Sequence, residues 1–283
     1  MAAVTSASER PPGQIAAIVM SLFFALLVLG PAAWALATSF KTELEAVAVP
    51  PTLWPRIPTL ENYGKVFRDQ SFLQDFLNSL AYAVGAVALA LLVGIPAGYA
   101  AARFTFSGKR ALMLVILGTS MVPGVALLVP TFYLLDAVGL LNSGIVITIL
   151  LSARIIPQTI WFIGNFVESV PMEIEESAHM DGATRFQIIW RLVLPLIRPG
   201  IAAVATIGFV TTWNDYITVA VFAPDTVKRT LQVALVNQVF DAVGISWSYM
   251  MAFVIIASMP VILLFGLVQK WFISGLTAGA VKG

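Results

Sequence analysis

Three groups of residues carry almost all of the polar chemistry this sequence could perform. The first is an acidic run, Glu173, Glu175, Glu176 and Asp181, that surrounds His179 and closes on Gly182. The second is Arg154, alone in the uncharged stretch from Ala137 to Val167, and the third is the triplet Trp213-Asn214-Asp215. Carboxylates beside an imidazole suggest acid–base or metal chemistry, but the chain holds one His and no Cys. That count removes disulfides, thiol catalysis, iron–sulfur clusters and Cys-ligated zinc, and it argues against any histidine-based metal site or catalytic triad. Phosphate-binding loops end in Gly-Lys-Ser/Thr, whose amides cradle the phosphates. Here Gly64-Lys65 runs into Val66 and Gly108-Lys109 into Arg110, so neither can bind nucleotide that way. Intramembrane proteolysis fails as well. A serine version needs a histidine within a span, where His179 does not lie, and an aspartyl version needs two facing Asp, of which only Asp215 qualifies. The chain is expected to be non-catalytic and metal-free.

The elements that position these residues follow from composition. Of 283 residues, 59% are hydrophobic and 11% charged, too few charges to cover a soluble globule, so the chain belongs in a lipid bilayer. A net charge of +1 excludes a nucleic-acid surface built on global basicity. A helix crossing the hydrocarbon needs about 20 apolar residues. The uncharged runs Pro11–Phe40, Phe76–Ala102, Ala111–Leu135 and Ala242–Gln269 meet that length, and 137–167 and 199–224 do so if Arg154 and Asp215 are tolerated. Six spans are expected, in an all-α integral membrane protein. The first run is too long for a signal peptide and reads as an uncleaved anchor. Arg103, Lys109 and Arg110 between spans two and three place that link in the cytoplasm, which puts both termini there too and the Pro-rich segment 41–75 outside. The expected organisation is 1–75 for the terminus, first span and external loop, 76–272 for a five-span core, and 273–283 for a cytoplasmic tail.

Small residues at Ala86, Ala90, Gly94, Gly98 and Ala102 give span two a smooth face for close helix packing, within this chain or against another. Pro96, Pro123, Pro130, Pro157 and Pro260 are expected to kink their spans. Between spans four and five, residues 169–194 are too polar to cross a membrane and too regular for a loop. Pro171 suits a helix start, and the acids sit in the opening turns. Gly182 permits a left-handed stop, Thr184 with Gln187 forms a capping box, and Phe186, Ile189, Trp190 and Val193 make an apolar stripe. Such a hairpin either plugs a partner's cleft or lies along the lipid surface, and geometry alone leaves both open.

The run Glu175-Glu176-Ser177-Ala178-His179-Met180-Asp181-Gly182-Ala183, followed by Leu194-Pro195, resembles the EAA signature of ABC importer permeases. Thr59-Leu60-Glu61-Asn62-Tyr63, Asn78-Ser79-Leu80, Trp213-Asn214-Asp215 and the closing residues 275–283 are similar to the carbohydrate-import permeases of the maltose type, in particular to the six-span second permease of the pair. The resemblance implies a type I ABC importer architecture. It implies that the hairpin couples to an ATPase through Glu175, Glu176, Ser177, Ala178, Met180, Asp181, Gly182 and Ala183. Ser177 departs from the Ala usual in the family, though it is still small. The resemblance further implies that Gly279, Ala280, Val281 and Lys282 of the tail reach the ATPase. Implied partners are a second permease, a dimeric cytoplasmic ABC ATPase that binds ATP and Mg, an extracellular or periplasmic solute-binding protein and a sugar substrate. The location would be the bacterial cytoplasmic (inner) membrane. The alternatives are import of a polyol derivative such as a glycerol-phosphate compound and, more distantly, an autonomous secondary transporter.

Arg154, Trp213, Asn214 and Asp215 form the expected substrate path. A mid-bilayer arginine costs roughly 2.5–3.5 kcal/mol even on the lenient insertion scale, so it needs water or a partner. Arg154 either lines the cavity or makes an ion pair, with Asp215 or with the other permease. Trp213 either stacks on a sugar ring or serves a structural role.

Overall fold

The computed structural model describes residues 12–240 and 246–280, and every regular element among them is helical. In chain order these are α1 (Pro12–Ser39), α2 (Glu43–Ala46), α3 (Glu61–Arg68), α4 (Phe72–Arg103), α5 (Lys109–Thr119), α6 (Gly124–Ala137) and α7 (Gly144–Glu168). There follow α8 (Met172–Met180), α9 (Arg185–Ile188), a π turn (Ile189–Val193), α10 (Leu194–Leu196), α11 (Arg198–Trp213), α12 (Ile217–Phe222), a 3-10 turn (Thr226–Lys228), α13 (Leu231–Phe240) and α14 (Trp247–Ala280). The described residues fall into two compact units, one within Met1–Arg68 and Asp241–Ile256, the other within Asp69–Phe240 and Ala257–Gly283. This division differs from the boundary drawn at residue 75, since the start of α14 joins the N-terminal unit.

The reason is electrostatic. The first turn of α14 presents unpaired N–H groups, and the Glu43 carboxylate accepts from the amides of Trp247 (2.9 Å) and Ser248 (3.2 Å) and from the hydroxyls of Ser246 (2.7 Å) and Ser248 (2.6 Å). Burial alone would raise this carboxyl, but the hydrogen bonds outweigh it and hold its pKa below the usual 4.5. The Pro-rich segment of this unit is pinned at its base. The Asn62 amide donates to the carbonyls of Ser39 (2.9 Å) and Lys41 (2.8 Å), and Glu45 accepts from Thr52 Oγ1 (2.9 Å) and the Arg56 amide (2.8 Å).

The second unit is organised by α4 against α7. A methyl added at Gly98 would stand 2.9 Å from the backbone of Ile160 and Gly164, and one at Gly94 would stand 2.4 Å from Thr159 Cγ2. The small-residue face thus serves packing inside this chain, with Ala86 and Ala90 buried beside it. At the beginning of α4 the segment 225–231 is strapped down. Arg229 pairs with Asp75 at 2.9 Å, the Asn78 amide donates to the carbonyls of Val227 and Arg229, and Ser79 Oγ accepts from the Leu231 amide.

Among the described residues four helices are long and apolar enough to cross a membrane, or up to six if each of two bent pairs is one span. The stretch expected as the third span is α5 and α6, bent by 85° between Thr119 and Gly124, at the kink expected for Pro123. Pro123 explains the break, because it disfavours helical backbone at Val122 and removes a donor. The helices α4, α6, α7 and α14 instead run on through Pro96, Pro130, Pro157 and Pro260, so the expected kinks do not divide them. The second bent pair is Arg185–Leu196 with Arg198–Trp213, bent by 75°, so the expected fifth span 199–224 is not one straight helix; beyond it α11 ends at Trp213 and the chain restarts as α12 at Ile217.

Candidate functional site

The hairpin between α7 and α11 is built from two terminal motifs. At the end of α8 the Gly182 amide bonds the His179 carbonyl and the Ala183 amide bonds the Ala178 carbonyl, both at 3.0 Å. Gly182 sits at φ +84°, the left-handed conformation that this double closure requires. The capping box follows directly, with Thr184 Oγ1 accepting from the Gln187 amide at 3.3 Å and the Gln187 side chain accepting from the Thr184 amide at 2.8 Å. Pro171 stands one place earlier than the first helical position, at the N-cap of α8. Glu176, Ser177, Met180, Asp181 and Gly182 are exposed, and Ala178 and Ala183 are half-buried.

Glu175 corrects the sequence assignment. It is buried, and its carboxylate accepts from Tyr99 Oη and Arg103 Nε, both at 2.7 Å. The Arg103 guanidinium also donates to the Val170 carbonyl at 2.7 Å, closing the chain just after α7. Both side chains of the Arg103–Glu175 pair are less than a tenth exposed, 8% and 5%. Glu175 therefore faces α4 and cannot present its charge to a docking subunit, whereas Glu176, about 100° further round the helix, can. Sequence reasoning used Arg103 only as a marker of membrane side and missed Tyr99; the available signal was a basic residue ending an uncharged run.

The expected apolar stripe is met at Ile189 and Val193, which pack in the core, and not at Phe186 and Trp190. Phe186 and Trp190 are exposed, with ring centroids 5.8 Å apart, while Ile188, Val193, Leu194 and Ile197 join the core with Tyr99, Ile163 and Val167. The π turn at 189–193 follows α9, and its additional residue per turn shifts the register of the residues beyond it.

Arg154 Nη1 lies 2.7 Å from Asp215 Oδ2, and Asp215 Oδ1 also accepts from the Thr218 amide at the start of α12. The pair is one-sided: Asp215 is 2% exposed and Arg154 62%. Trp213 is buried at 2%, stacks on Phe209 (5.5 Å, 17°) and donates Nε1–H to the Ala257 carbonyl at 3.1 Å. Its ring is part of the helix packing and has no free face for a sugar. Asn214 is exposed, with its amide turned back to the Val210 carbonyl. Gly279 and Ala280 belong to the last turn of α14, while Val281 and Lys282 lie outside the described residues. Among the described residues no three His, Asp or Glu side chains gather as a metal ion would need.

Residues 90–277, from the middle of α4 to near the end of α14, match the family described as binding-protein-dependent transport system inner membrane component. The chain belongs to that family. The permease is 34% identical over 262 residues to an inner membrane ABC transporter permease of Escherichia coli strain K12, covering 92% of this chain and 93% of that one. It is 33% identical to a diacetylchitobiose uptake system permease of Streptomyces coelicolor, covering 89% and 91%. Among solved structures it is similar to a chain of a bacterial ABC transporter involved in the import of the acidic polysaccharide alginate, at TM-score 0.81 and 26% identity, covering 96% of this chain and all of that one. The permease is thus a multi-pass membrane subunit of an ABC importer, and its hairpin lies inside the matched region.

Proposed function

We propose that the permease forms half of the translocation path for a sugar or oligosaccharide and is driven by a separate ATPase that grips its hairpin. A second permease would complete the pore, a solute-binding protein would deliver the sugar, and ATP with Mg would be held by a dimeric ATPase on the cytoplasmic side. Both termini and the hairpin would face the cytoplasm of a bacterium. The diacetylchitobiose and alginate systems named for relatives support the sugar assignment. One observation carries the coupling role: a rigid turn at Gly182 presents Glu176, Ser177, Met180 and Asp181 to solvent, while buried Glu175 ties the same helix to α4. Chemical energy supplied elsewhere can then reach the bundle as motion of rigid helices.

The test is purification of the assembled importer followed by paired assays of ATP hydrolysis and solute uptake. Gly182→Leu forces a branched residue into a left-handed backbone, about 1–2 kcal/mol unfavourable, and should leave hydrolysis but abolish uptake. Gly182→Asn, which tolerates that backbone, should keep most of the uptake. Normal uptake with Gly182→Leu, or a purified transporter with no nucleotide-binding subunit, would overturn the reading.

A further inference from the structure

One face of α7 is consumed by α4, through Thr159, Ile160 and Gly164. A different face is left open: Arg154, Gln158, Trp161 and Asn165 are all exposed and follow one another at steps of four, three and four residues. At about 100° per residue, Gln158, Trp161 and Asn165 stand roughly 40°, −20° and 20° from Arg154, so the four side chains form a stripe roughly 60° wide. The stripe runs about 16 Å, from the Arg154–Asp215 pair toward the hairpin end of the helix. Among the described residues the side chains of Gln158 and Asn165 have no hydrogen-bond partner within the chain. Trp161 is 43% exposed. Beside the stripe is a shallow groove between α7 and α11, lined by Ile155, Gln158, Phe162, Val204 and Ile207.

Lipid cannot cover this face. Two primary amides and a guanidinium against hydrocarbon would forfeit hydrogen bonds that water or a polar solute supplies. A tightly packed partner helix is disfavoured as well. Helices approach closely in membranes over small residues, and the small-residue face of α7 is already used by α4, whereas four long side chains hold a neighbour at a distance. The remaining occupant is water with the transported solute. Charge then narrows the solute. Arg154 is neutralised by Asp215 at 2.7 Å, and the next two polar positions are amides, which both donate and accept, as hydroxyls do. An indole face among them suits the apolar face of a sugar ring. The same spacing ends at exposed Glu168, whose charge repels anions.

We propose that Arg154, Gln158, Trp161 and Asn165 form the solute-facing lane of the pore, and that this lane takes an uncharged, hydroxyl-rich sugar rather than an anionic one. The inference rests on the proposed function and sharpens it.

The chain contains no cysteine, so an introduced thiol is the single one in this subunit, and labelling is read on this subunit after it is separated from its partners. Gln158→Cys and Asn165→Cys are made in the assembled importer in lipid nanodiscs, with Ile149→Cys, an apolar exposed position on the same helix, as the control. Each is treated with anionic sulfonatoethyl and cationic trimethylammonioethyl methanethiosulfonate. Both lane thiols should react with both reagents at normalised rates within about threefold of each other, well under the tenfold or more that a cleft of one sign produces, while the control stays unreactive. Adding Asp215→Asn, which keeps an acceptor for the Thr218 amide but leaves Arg154 unpaired, should shift the Gln158→Cys preference toward the anionic reagent by about tenfold. Unreactive lane thiols would show a covered face and overturn the lane. A tenfold anionic preference with Asp215 in place would overturn the neutral solute. Either failure in a particle that still carries its ATPase leaves the proposed function standing; absence of the ATPase removes that function instead.

Discussion

The side chain whose role changes most on folding is Glu175. It and Glu176 are adjacent acids with no local feature to separate them, yet one is buried against Arg103 and Tyr99 and the other is solvated. Removing one member of a buried ion pair strands the other charge, which typically costs about 3–5 kcal/mol, whereas replacing both with apolar groups is nearly neutral. Glu175→Leu or Arg103→Met alone should therefore lower the unfolding midpoint sharply in a thermal denaturation series, and the double substitution should recover most of the loss. Single variants as stable as the parent would show that the pair contributes nothing. Glu43 gives a second prediction at this scale. Its pKa is lower folded than unfolded, so its stabilisation is complete above about 4.5 and disappears as pH falls through the folded value. Glu43→Gln should cost about 1–2 kcal/mol at pH 7, as for other lost helix caps, and the gap to the parent should close below pH 4. Equal gaps at both pH values would rule out the carboxylate as the cap. Neither contact was legible beforehand: Arg103 lies 72 residues from Glu175 and Glu43 lies 203 from Ser246, and only chain folding brings them together.

At the level of elements, the features that depend on neighbouring residues were readable and those that depend on packing were not. The stop at Gly182 and the box at Thr184 are local, and both stand where the spacing puts them. The small-residue ladder of α4 was legible as a packing face, but its partner was not, because a smooth surface accepts any helix. Now that α7 is known to fill it, the ladder becomes testable. Gly98→Ala places a methyl 2.9 Å from fixed backbone atoms and should destabilise by about 1–3 kcal/mol, as other overpacked sites do. Gly118→Ala, in α5 with nothing within 4 Å, should instead stabilise by about 0.5–1 kcal/mol. Opposite signs in parallel unfolding measurements are the expected result; a neutral Gly98→Ala would mean that α4 and α7 are not in tight contact. Proline was an uneven guide. Pro123 divides a span, while Pro96 and Pro157 are carried inside long helices whose neighbours hold them. Ile188 is buried in place of Phe186 because it packs with Tyr99 and Ile163, residues distant in sequence, and the π turn at 189–193 likewise has no signature in residue type.

For the whole molecule, composition was the strongest signal. A chain that is 59% hydrophobic and 11% charged has few ways to fold outside lipid, and the number of spans followed from where the charges fall. Of the lane proposed on α7, only Arg154 drew attention in the sequence, because Gln158, Trp161 and Asn165 carry no charge to mark them. Trp213 turned out to be held by Phe209 and Ala257, and Arg154 by Asp215. Arg103 has a further consequence. It is the last residue of α4, and its one planar group holds both a carboxylate on α8 and the carbonyl that follows α7. A planar fork clasped at two points ties α8 to the ends of both α4 and α7. Under the proposed coupling, force applied at the tip of the hairpin would pivot on that fork and reach the long helices as torque.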